Sequence, residues 1–504
     1  MNLASGLFET ASSAPDRAAL TFHGRPVTYA ELDSAVDRAT AVLQSAGVEP
    51  GDRVALVLGN VPEFVHVLYG TWRAGAVAVP LNVMLTPEEI GHIVRDSGAT
   101  TVVAQMSFLP NVLAARELVP GVRTVLVIAG PPVPPGTISF EQEMQRAGTP
   151  RPADRSEDDL AVLQYTSGTT GRPKGAMLTA RNLVANQEQM DAVPASRILE
   201  DDMVLAVLPL FHIYGLNVVL GTALRAGATV ALLERFDPEE TLLAIQHQRV
   251  TVLPGAPAMY SACLSLPEAN PEAFASVRLA LSGAAPLAPD VAEAFHVRFG
   301  VPILDSYGLT EAGPGVTTSA TGEEIRPGSI GPPLPGVEVR VVDEEGNDVE
   351  EDDPGEIVVR GPNVFSGYWR DETATKEAFL EGGWLRTGDV AIRDEDGYLY
   401  LVDRKKDLII VSGFNVYPVE VEDVLLRHEK VAEAGVIGIP DERTGEAVKA
   451  FVVLREGEEA TPEEILEFAR TSLARFKLPR EIEVMPSLPR HVTGKVLRRA
   501  LRGK

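Results

Sequence analysis

Hydroxyl, glycine and lysine side chains are concentrated in one stretch of the chain, Tyr165–Gly175. It contains four Ser/Thr hydroxyls, three glycines and Lys174, and apolar runs lie on both sides of it. The apolar runs predict two strands, so the polar stretch is the loop that joins them. Glycines let the backbone approach a ligand and turn its N–H groups inward, while hydroxyl and ammonium groups bind phosphate oxygens. The stretch therefore predicts a polyphosphate-binding loop.

Two other interpretations of this stretch are less consistent with its sequence. A Walker A loop needs Gly-Lys-Ser/Thr at the start of a helix, whereas Gly171 is followed by Arg-Pro-Lys-Gly and a strand-like run. A flexible Ser/Thr/Gly linker is the commoner meaning of such a composition. A linker does not usually lie between two buried strands or end in Pro-Lys-Gly.

Two more groups of small and polar residues follow predicted strands, at 282–287 and 305–311. The second group is the more informative. It offers Tyr307, whose aromatic face can stack on a purine, and Gly308, which permits close approach. It also offers the Thr310 hydroxyl for phosphate and the Glu311 carboxylate, a hard oxygen ligand for Mg²⁺.

His212 lies in an apolar run, 209–215, that follows a predicted strand at 204–208. An isolated histidine among apolar residues is more often a core residue than a catalytic one. Its position after a strand favours a ligand pocket, because α/β sheets bind ligands at that end. We predict that His212 is a pocket wall and not an acid or a base.

Five motifs in this order resemble the adenylate-forming superfamily, in its acyl-CoA synthetase and fatty-acid–CoA ligase branch. They are the loop 165–175, Tyr-Gly-Leu-Thr-Glu at 307–311, Thr-Gly-Asp at 387–389, the charged run 403–407 and Thr-Gly-Lys at 493–495. Enzymes of this branch convert a carboxylic acid and ATP into acyl-AMP and pyrophosphate, and then transfer the acyl group to coenzyme A. The resemblance therefore implies ATP, Mg²⁺ and coenzyme A as reaction components.

The resemblance also implies roles for individual residues. The catalytic set is Lys495 on the carboxylate and α-phosphate, Lys406 as the hinge pivot, and Glu311 with Thr166 as metal ligands. The implied ATP-binding residues are Thr166, Ser167, Gly168, Thr169, Thr170, Lys174, Gly283, Ala284, Ala285, Asp305, Ser306, Tyr307, Gly308, Thr310, Asp389 and Arg404. The implied acyl pocket is lined by His212, Tyr214, Gly215, Gly283 and Gly308, and the coenzyme A site includes Ser412 and Gly413.

The residues around the implied acyl pocket indicate the kind of acid. Across 212–220, 282–285 and 306–313 the only charged residue is Glu311. A dicarboxylate would need a cation there and an amino acid a further carboxylate, because buried charges must be paired. We therefore predict a medium- to long-chain fatty acid, with five glycines leaving space, at 215, 221, 283, 308 and 313. The run 211–215 also resembles hydroxycinnamate-CoA ligases, so an aryl acid is the alternative.

The elements that must position these residues predict an α/β fold. Strands alternate with helices from residue 29 to 104, which is typical of βαβ units and a parallel sheet. Thr86 is predicted to cap a helix that ends at Asp96, and 130–156 to be a connector. Short alternating strands between 338 and 402 predict a small β-barrel-like unit. We expect a large N-terminal domain, 1–403, that binds ATP and the acyl group, hinged to a small mobile α+β domain, 404–504.

Charge and composition limit the possible partners. The net charge of −26 argues against nucleic acid, whose binding needs a basic surface. Residues 404–504 hold 18 basic and 17 acidic side chains, against 27 and 54 in 1–403, which supports two units with different surfaces. The single cysteine, Cys263, fits a reducing compartment. The start of the chain shows no secretory signal and no apolar stretch is long enough to span a bilayer, so we expect a cytoplasmic location.

The sequence disfavours two alternatives to the coenzyme A ligase hypothesis. An enzyme that stops at the adenylate, or passes it to a carrier protein, is disfavoured because we see no carrier domain after Lys504 and no long insertion near the hinge. A non-catalytic nucleotide-binding protein is disfavoured by the presence of Lys174, Glu311 and Lys495. We expect a small-molecule acid and coenzyme A as partners. Peripheral membrane contact and a homodimer remain open.

Overall fold

The computed structural model of this 504-residue protein describes all residues except 1, 2, 4, 129–131, 167–172, 323, 405, 406, 408, 412, 413, 442, 443, 471, 474, 491–495, 503 and 504. The helices are α1 (Ser5–Ser13), α2 (Tyr29–Ser45), α3 (Pro62–Arg73), α4 (Pro87–Ser97), α5 (Leu109–Leu118), α6 (Phe140–Arg146), α7 (Ala180–Asp191), α8 (Thr222–Ala226), α9 (Pro238–Gln248), α10 (Pro257–Ser265), α11 (Pro289–Phe299), α12 (Glu372–Ala378), α13 (Pro418–Leu426), α14 (Pro462–Ala469) and α15 (Arg498–Leu501).

The strands are β1 (Ala18–Phe22), β2 (Arg25–Thr28), β3 (Arg53–Val57), β4 (Val77–Pro80), β5 (Thr101–Gln105), β6 (Thr124–Ile128), β7 (Ile138–Ser139), β8 (Leu160–Thr166), β9 (Lys174–Thr179), β10 (Met203–Ala206), β11 (Thr229–Leu232), β12 (Val252–Gly255), β13 (Leu279–Ser282), β14 (Ile303–Gly308), β15 (Gly315–Thr318), β16 (Glu338–Val342), β17 (Gly355–Arg360), β18 (Phe379–Leu380), β19 (Trp384–Arg393), β20 (Leu399–Arg404), β21 (Ile409–Val411), β22 (Phe414–Val416), β23 (Val431–Asp441), β24 (Gly445–Leu454) and β25 (Glu481–Val484).

The chain forms two compact units, 1–338 with 359–385, and 339–358 with 386–504. The first unit contains two large sheets. One has seven strands in the order β7-β6-β5-β3-β4-β8-β9 and is parallel except for the β8–β9 hairpin. The other has eight strands in the order β15-β14-β13-β12-β10-β11-β1-β2, parallel except at its two ends. The α/β fold class with a large N-terminal part is confirmed.

The short strands and their helices are specified by local sequence. The central strands of both sheets are runs of Val, Leu, Ile and Ala that are almost fully buried, as expected for strands covered on both faces. Helix α4 follows the predicted pattern, because Thr86 forms a capping box with Glu89, and Gly98 ends the helix in the left-handed conformation at φ 71°. These contacts fix where the helix begins and ends.

The second unit contains a four-stranded sheet, β22-β21-β24-β23, extended by β25 on β24. Helices α13 and α14 bury Val421, Leu425 and Ile465 in its core. A further sheet has the order β16-β17-β19-β18 with β20 on β19, and its β18–β19 and β19–β20 pairs are antiparallel. The predicted antiparallel unit between 338 and 402 is therefore present. The boundary after residue 403 stays a prediction.

The backbone has features that the sequence did not predict. The predicted connector at 130–156 contains β7 and α6. The segment after Ile213 forms a π-helix, Tyr214–Gly221, a rare form that often occurs at functional sites. Among the described residues, no helix has both the length and the apolar character needed to cross a bilayer.

Candidate active site

The predicted phosphate loop is closed by the β8–β9 hairpin. Thr166 and Lys174 are the last pair of the hairpin, and Tyr165 is paired with Gly175 before them. The hairpin therefore places a hydroxyl and an ammonium group on opposite sides of the loop entrance. The predicted phosphate ligands Ser167, Gly168, Thr169 and Thr170 lie outside the described residues.

Tyr165 anchors this hairpin. Its hydroxyl donates a hydrogen bond to Asp96 Oδ2 at 2.5 Å, and burial together with this carboxylate raises the pKa of Tyr165 above its usual value. A Cβ atom at position 175 would lie 3.1 Å from Tyr165 Cζ, so the ring needs a glycine opposite it. The last pairs of the hairpin are thus fixed by packing as well as by the strand ladder.

Lys174 and Glu311, predicted to act on phosphate and metal, meet at one side chain that sequence reasoning missed. The Tyr368 hydroxyl donates to Glu311 Oε1 at 2.8 Å. The Lys174 ammonium lies 5.4 Å from the centroid of the Tyr368 ring, and 3.7 Å from the carboxylate of Asp371. Burial, followed by the charge of Glu311, raises the pKa of Tyr368, so the phenol stays protonated and donates.

Tyr368 belongs to a segment that we call the strap, residues 365–371. The strap runs beside β9, with the Trp369 N–H donating to Gly175 O at 2.8 Å and the Met177 N–H to Gly367 O at 2.9 Å. It also holds Glu311 by its main chain, because the Phe365 N–H donates to Glu311 O at 2.8 Å. The sequence signal that could have found it is the pair of aromatic residues after Gly367.

The strap is itself fixed by short-range constraints. Gly367 adopts φ 123°, a conformation that L residues rarely adopt, and a Cβ there would lie 2.5 Å from Thr375 Cγ2. The Tyr368 N–H donates to Thr375 Oγ1 at 2.9 Å, and the indole N–H of Trp369 donates to Asp96 O at 3.0 Å. Asp96 therefore connects the strap to Tyr165 and the phosphate-loop hairpin.

The predicted adenine-side residues lie at the ends of β13 and β14. Asp305, Ser306, Tyr307 and Gly308 belong to β14 and not to a loop, because β14 extends to pair with β15. Thr310 and Glu311 follow in a short 3₁₀-helix, Thr310–Ala312. Gly283, Ala284 and Ala285 follow β13, and Ala284 adopts φ 69°. Such strain in a non-glycine residue clusters at ligand sites.

Asp305 is the most perturbed carboxyl group of this region. It is buried, and desolvation raises its pKa to about 7 against the opposing effect of the hydrogen bond that the Ser306 N–H donates to Asp305 Oδ1 at 3.1 Å. Perturbed acids of this kind mark candidate functional sites. The predicted ATP-binding role of Asp305 stays a prediction.

The predicted acyl-pocket residues are brought together in part. His212 lies six residues after the end of β10, and its Nδ1 accepts from the Tyr214 N–H at 3.3 Å. Tyr214 is buried, its hydroxyl donates to Leu281 O at 3.3 Å, and its ring lies against Gly283. Tyr214 and Gly283 are therefore in contact.

The prediction that glycines leave space for the acyl group is wrong. A Cβ at Gly215 would collide with Pro209 O, and one at Gly308 with Pro314 O. Neighbouring atoms would also lie close to a Cβ added at the other three positions. Gln187 Nε2 would be 2.5 Å from a Cβ at 221, Tyr214 Cε1 3.1 Å from one at 283, and Asn363 O 3.1 Å from one at 313. These glycines let neighbouring groups pack closely, so they give no evidence of an acyl tunnel.

Buried amides join the acyl segment to the Glu311 loop. Asn217 on the π-helix donates to Gly313 O at 2.7 Å and accepts from Gln187 of α7 at 2.8 Å. Asn186 of α7 donates to Gly315 O at 2.9 Å, and Asn363 donates to Ala312 O at 2.7 Å. Neutral hydrogen bonds therefore hold both sides of the site in one arrangement.

The second unit carries the predicted ribose ligands. Asp389 lies within β19, where Thr-Gly-Asp forms a kink at Gly388 with φ 71°. The Gly388 N–H donates to Glu356 Oε1 at 3.1 Å. Asp389 and Arg404 are Cα partners in the β19–β20 pairing, so the fold brings these two positions together.

The predicted hinge and the coenzyme A and catalytic residues of this unit, Lys406, Ser412, Gly413 and Lys495, lie outside the described residues. Their neighbours are held by ion pairs. Arg498 contacts Glu422 at 2.8 Å and Asp407 at 3.4 Å, and Arg502 contacts Asp407 at 3.0 Å. Helix α15, which begins three residues after Lys495, therefore contacts Asp407, the residue after Lys406.

The residues at the Glu311 loop fit a magnesium ion bound with nucleotide. The described residues contain no group of three or more His, Cys, Asp or Glu side chains that could hold a metal alone. Magnesium in nucleotide enzymes needs one or two protein oxygens, with phosphates and water as its other ligands. The Glu311 carboxylate and the Thr166 hydroxyl are hard oxygens of this kind.

Comparison with known proteins identifies the family. A family model described as AMP-binding enzyme matches residues 7–369, and its C-terminal domain model matches 420–495. A long-chain-fatty-acid–CoA ligase from Bacillus subtilis is 37% identical over 99% of this chain and 94% of its own. A feruloyl-CoA synthase from Amycolatopsis is 39% identical over 98% and 96%.

Solved structures agree with this assignment. The ATP-bound crystal structure of MatB from Rhodopseudomonas palustris is 36% identical, covers 100% of this chain and 98% of its own, and superposes with a TM-score of 0.92. ATP is therefore the nucleotide of a structurally similar relative. The chain belongs to the AMP-binding enzyme family and, as its motifs predict, to the acyl-CoA synthetase branch of the adenylate-forming superfamily.

Proposed function

We propose that this enzyme converts a carboxylic acid and ATP into acyl-AMP and pyrophosphate, and then transfers the acyl group to coenzyme A. The observation that carries the proposal is the meeting of Lys174 and Glu311 at Tyr368, beside the entrance of the phosphate loop. A cation and a metal-binding carboxylate on one loop entrance suit a triphosphate. Full-length likeness to CoA ligases supports the same reaction.

In the first half-reaction the carboxylate attacks the α-phosphorus and pyrophosphate leaves. Both reactants are anions, so positioning and charge neutralisation are the protein's main tasks. Lys174 and the loop 166–174 hold the departing pyrophosphate, and Glu311 with Thr166 holds Mg²⁺, which neutralises phosphate oxygens when it is bound. Lys495 contacts the carboxylate and the α-phosphate.

In the second half-reaction the thiol of coenzyme A attacks the acyl carbonyl, and AMP leaves. We propose that Ser412 and Gly413 border the thiol, that Lys495 is withdrawn and that Lys406 is the pivot of this change. Asp389 and Arg404, whose Cα positions are paired on β19 and β20, bind the ribose of the adenylate. An acceptor-only carboxylate suits two ribose hydroxyls.

We propose a medium- to long-chain fatty acid as the substrate. Leu216, Val218 and Leu220 of the π-helix are the apolar residues that we propose as the lining, and each methylene buried against such residues contributes about 0.8 kcal/mol. Relatives named long-chain-fatty-acid–CoA ligase support this choice. An aryl acid is the second candidate, because Tyr214 offers a ring face beside Gly283 and a relative is named feruloyl-CoA synthase.

The remaining components follow from the same reaction. We propose Mg²⁺, coenzyme A and a small-molecule acid as its reactants. We also propose a cytoplasmic location, which the single, buried Cys263 supports because it fits a reducing compartment. A homodimer is a separate hypothesis that light scattering would test.

The test is a panel of C4 to C16 fatty acids together with 4-coumarate, benzoate and malonate. Pyrophosphate release and thioester formation are both measured, with and without coenzyme A. We expect kcat/KM to rise along the fatty-acid series. A preference for 4-coumarate over every fatty acid would replace the fatty-acid proposal with the aryl one. Efficient use of malonate would contradict the charge argument. Absence of pyrophosphate release with every acid would favour a non-catalytic nucleotide-binding protein.

A further inference from the structure

Tyr368 contacts both charged groups that the reaction needs at the phosphate-loop entrance. Its hydroxyl donates to Glu311 Oε1 at 2.8 Å, and its ring lies 5.4 Å from the Lys174 ammonium. The edge of the ring also packs on Phe365 at a centroid distance of 5.0 Å. One side chain therefore fixes the distance between a candidate metal ligand and a candidate phosphate ligand.

The physical consequence concerns the Glu311 carboxylate. A hydrogen bond from a phenol to a carboxylate is charge-assisted, so it orients the acceptor more strongly than a neutral bond does. The Phe365 N–H holds the main chain of the same residue. Glu311 is thus fixed at two points by the strap, and its carboxylate enters metal binding already oriented. Outer groups that orient a metal ligand commonly change metal affinity when they are removed.

We propose that Tyr368 is a positioning residue that sets the Glu311 carboxylate for magnesium–nucleotide binding and keeps Lys174 beside it. The inference rests on the proposed function, in which Glu311 binds the metal. Tyr368 itself touches no reacting atom, and none of the motif residues predicted from sequence includes it. Its ring and its hydroxyl have separable tasks, the first toward Lys174 and the second toward Glu311.

The Tyr368→Phe variant separates these tasks, because it keeps the ring and removes the hydroxyl. The probe is α,β-methylene-ATP, whose Kd is measured by calorimetry with saturating Mg²⁺ and again with EDTA. We expect the variant to lose roughly tenfold in affinity in the presence of Mg²⁺ and little in EDTA. The ratio of the two Kd values is taken within one variant, so a general loss of stability affects both and cancels.

Tyr29→Phe is the matched control. It also removes a buried phenolic hydrogen bond, to Ala228 O at 2.7 Å, at residues that contact neither Glu311 nor the strap. We expect its Kd ratio to equal that of the wild type. An unchanged ratio in Tyr368→Phe, or an equal loss with and without Mg²⁺, would overturn the proposal. A wild type that releases no pyrophosphate would defeat the proposed reaction instead, and leave this binding ratio to decide the role of Tyr368.

Discussion

The hairpin that carries Lys174 and the tail that carries Lys495 are anchored by different kinds of contact. The hairpin is held mainly by main-chain bonds to the strap and by aromatic packing, whereas helix α15 of the tail is held by ion pairs of Arg498 and Arg502 together with the buried Leu501. Main-chain bonds are insensitive to charge, while ion pairs of partly exposed side chains weaken with salt and with mutation. We infer that the β8–β9 hairpin depends little on charged contacts and that helix α15 depends on them in part.

Removing the tail lysine should have the largest effect. We expect Lys495→Ala to slow adenylate formation by about 10²–10³-fold, because a charge contact made in the transition state is lost. Thioester formation from supplied acyl-AMP should stay close to the wild-type rate. Separate assays of the two half-reactions check this. Equal loss of both in a folded variant would mean that Lys495 does not belong to one half-reaction only.

A change at the predicted pivot should act on the other half-reaction. Proline fixes φ near −65°, so Lys406→Pro should slow acyl transfer to coenzyme A by roughly tenfold, which corresponds to about 1.4 kcal/mol of barrier. Adenylate formation should change less. Single-turnover transfer from preformed acyl-AMP measures the effect, and an unchanged transfer rate would remove Lys406 from the hinge role.

Breaking the ion pairs of helix α15 tests directly whether charged contacts position the tail. Arg498→Gln removes an ion-pair partner from Glu422 and from Asp407. This loss is destabilising because both carboxylates are partly buried. We expect adenylate formation to slow by several-fold and to become less sensitive to salt, because salt can no longer weaken the ion pairs that the variant has lost, with transfer unaffected.

Arg470→Gln is the control for this change, because its ion pair with Glu467 on α14 is exposed and should contribute little. If both arginine variants behaved alike, the ion pairs of Arg498 would have no role in placing the tail.

The remaining prediction concerns stability and not a reaction rate, at Asp305 on β14. The pKa of Asp305 is raised to about 7, so the folded protein holds a proton that the unfolded chain releases near pH 4. The resulting stabilisation is full below that pH and is lost as pH rises to 7. The difference in unfolding free energy between wild type and Asp305→Asn should therefore fall by at most about 1.4 kcal/mol per pH unit between pH 5 and 6.5. Urea unfolding at several pH values measures it, and a pH-independent difference would contradict the burial argument.

The sequence predicted the parts of the site that are local in the chain. The phosphate loop lies between two strands as its flanking apolar runs require, and Thr86 caps its helix. Contacts between distant residues could not be predicted. Tyr368 and Glu311 are 57 residues apart, and Asn182 donates to Val364 O across 182 residues. No local periodicity or turn signal marks such partners.

The prediction that glycines leave space for the acyl group was wrong for the same reason. Composition cannot tell whether a missing side chain leaves space or admits a neighbour, and at Gly215 and Gly308 a carbonyl oxygen occupies the place. The extension of β14 through Gly308 likewise depends on its pairing with β15. Because β15 comes after a loop and lies outside the apolar run that predicted β14, that run could not show where β14 ends.

The most direct test of the central claim is to identify the products of each half-reaction. The enzyme is incubated with ATP, Mg²⁺ and the preferred acid of the panel, first without coenzyme A and then after its addition, and the mixture is analysed by mass spectrometry. We predict enzyme-bound acyl-AMP and pyrophosphate in the first step, and its conversion into acyl-CoA and AMP in the second. Formation of ADP and phosphate, or of thioester without a preceding acyl-AMP, would contradict the account.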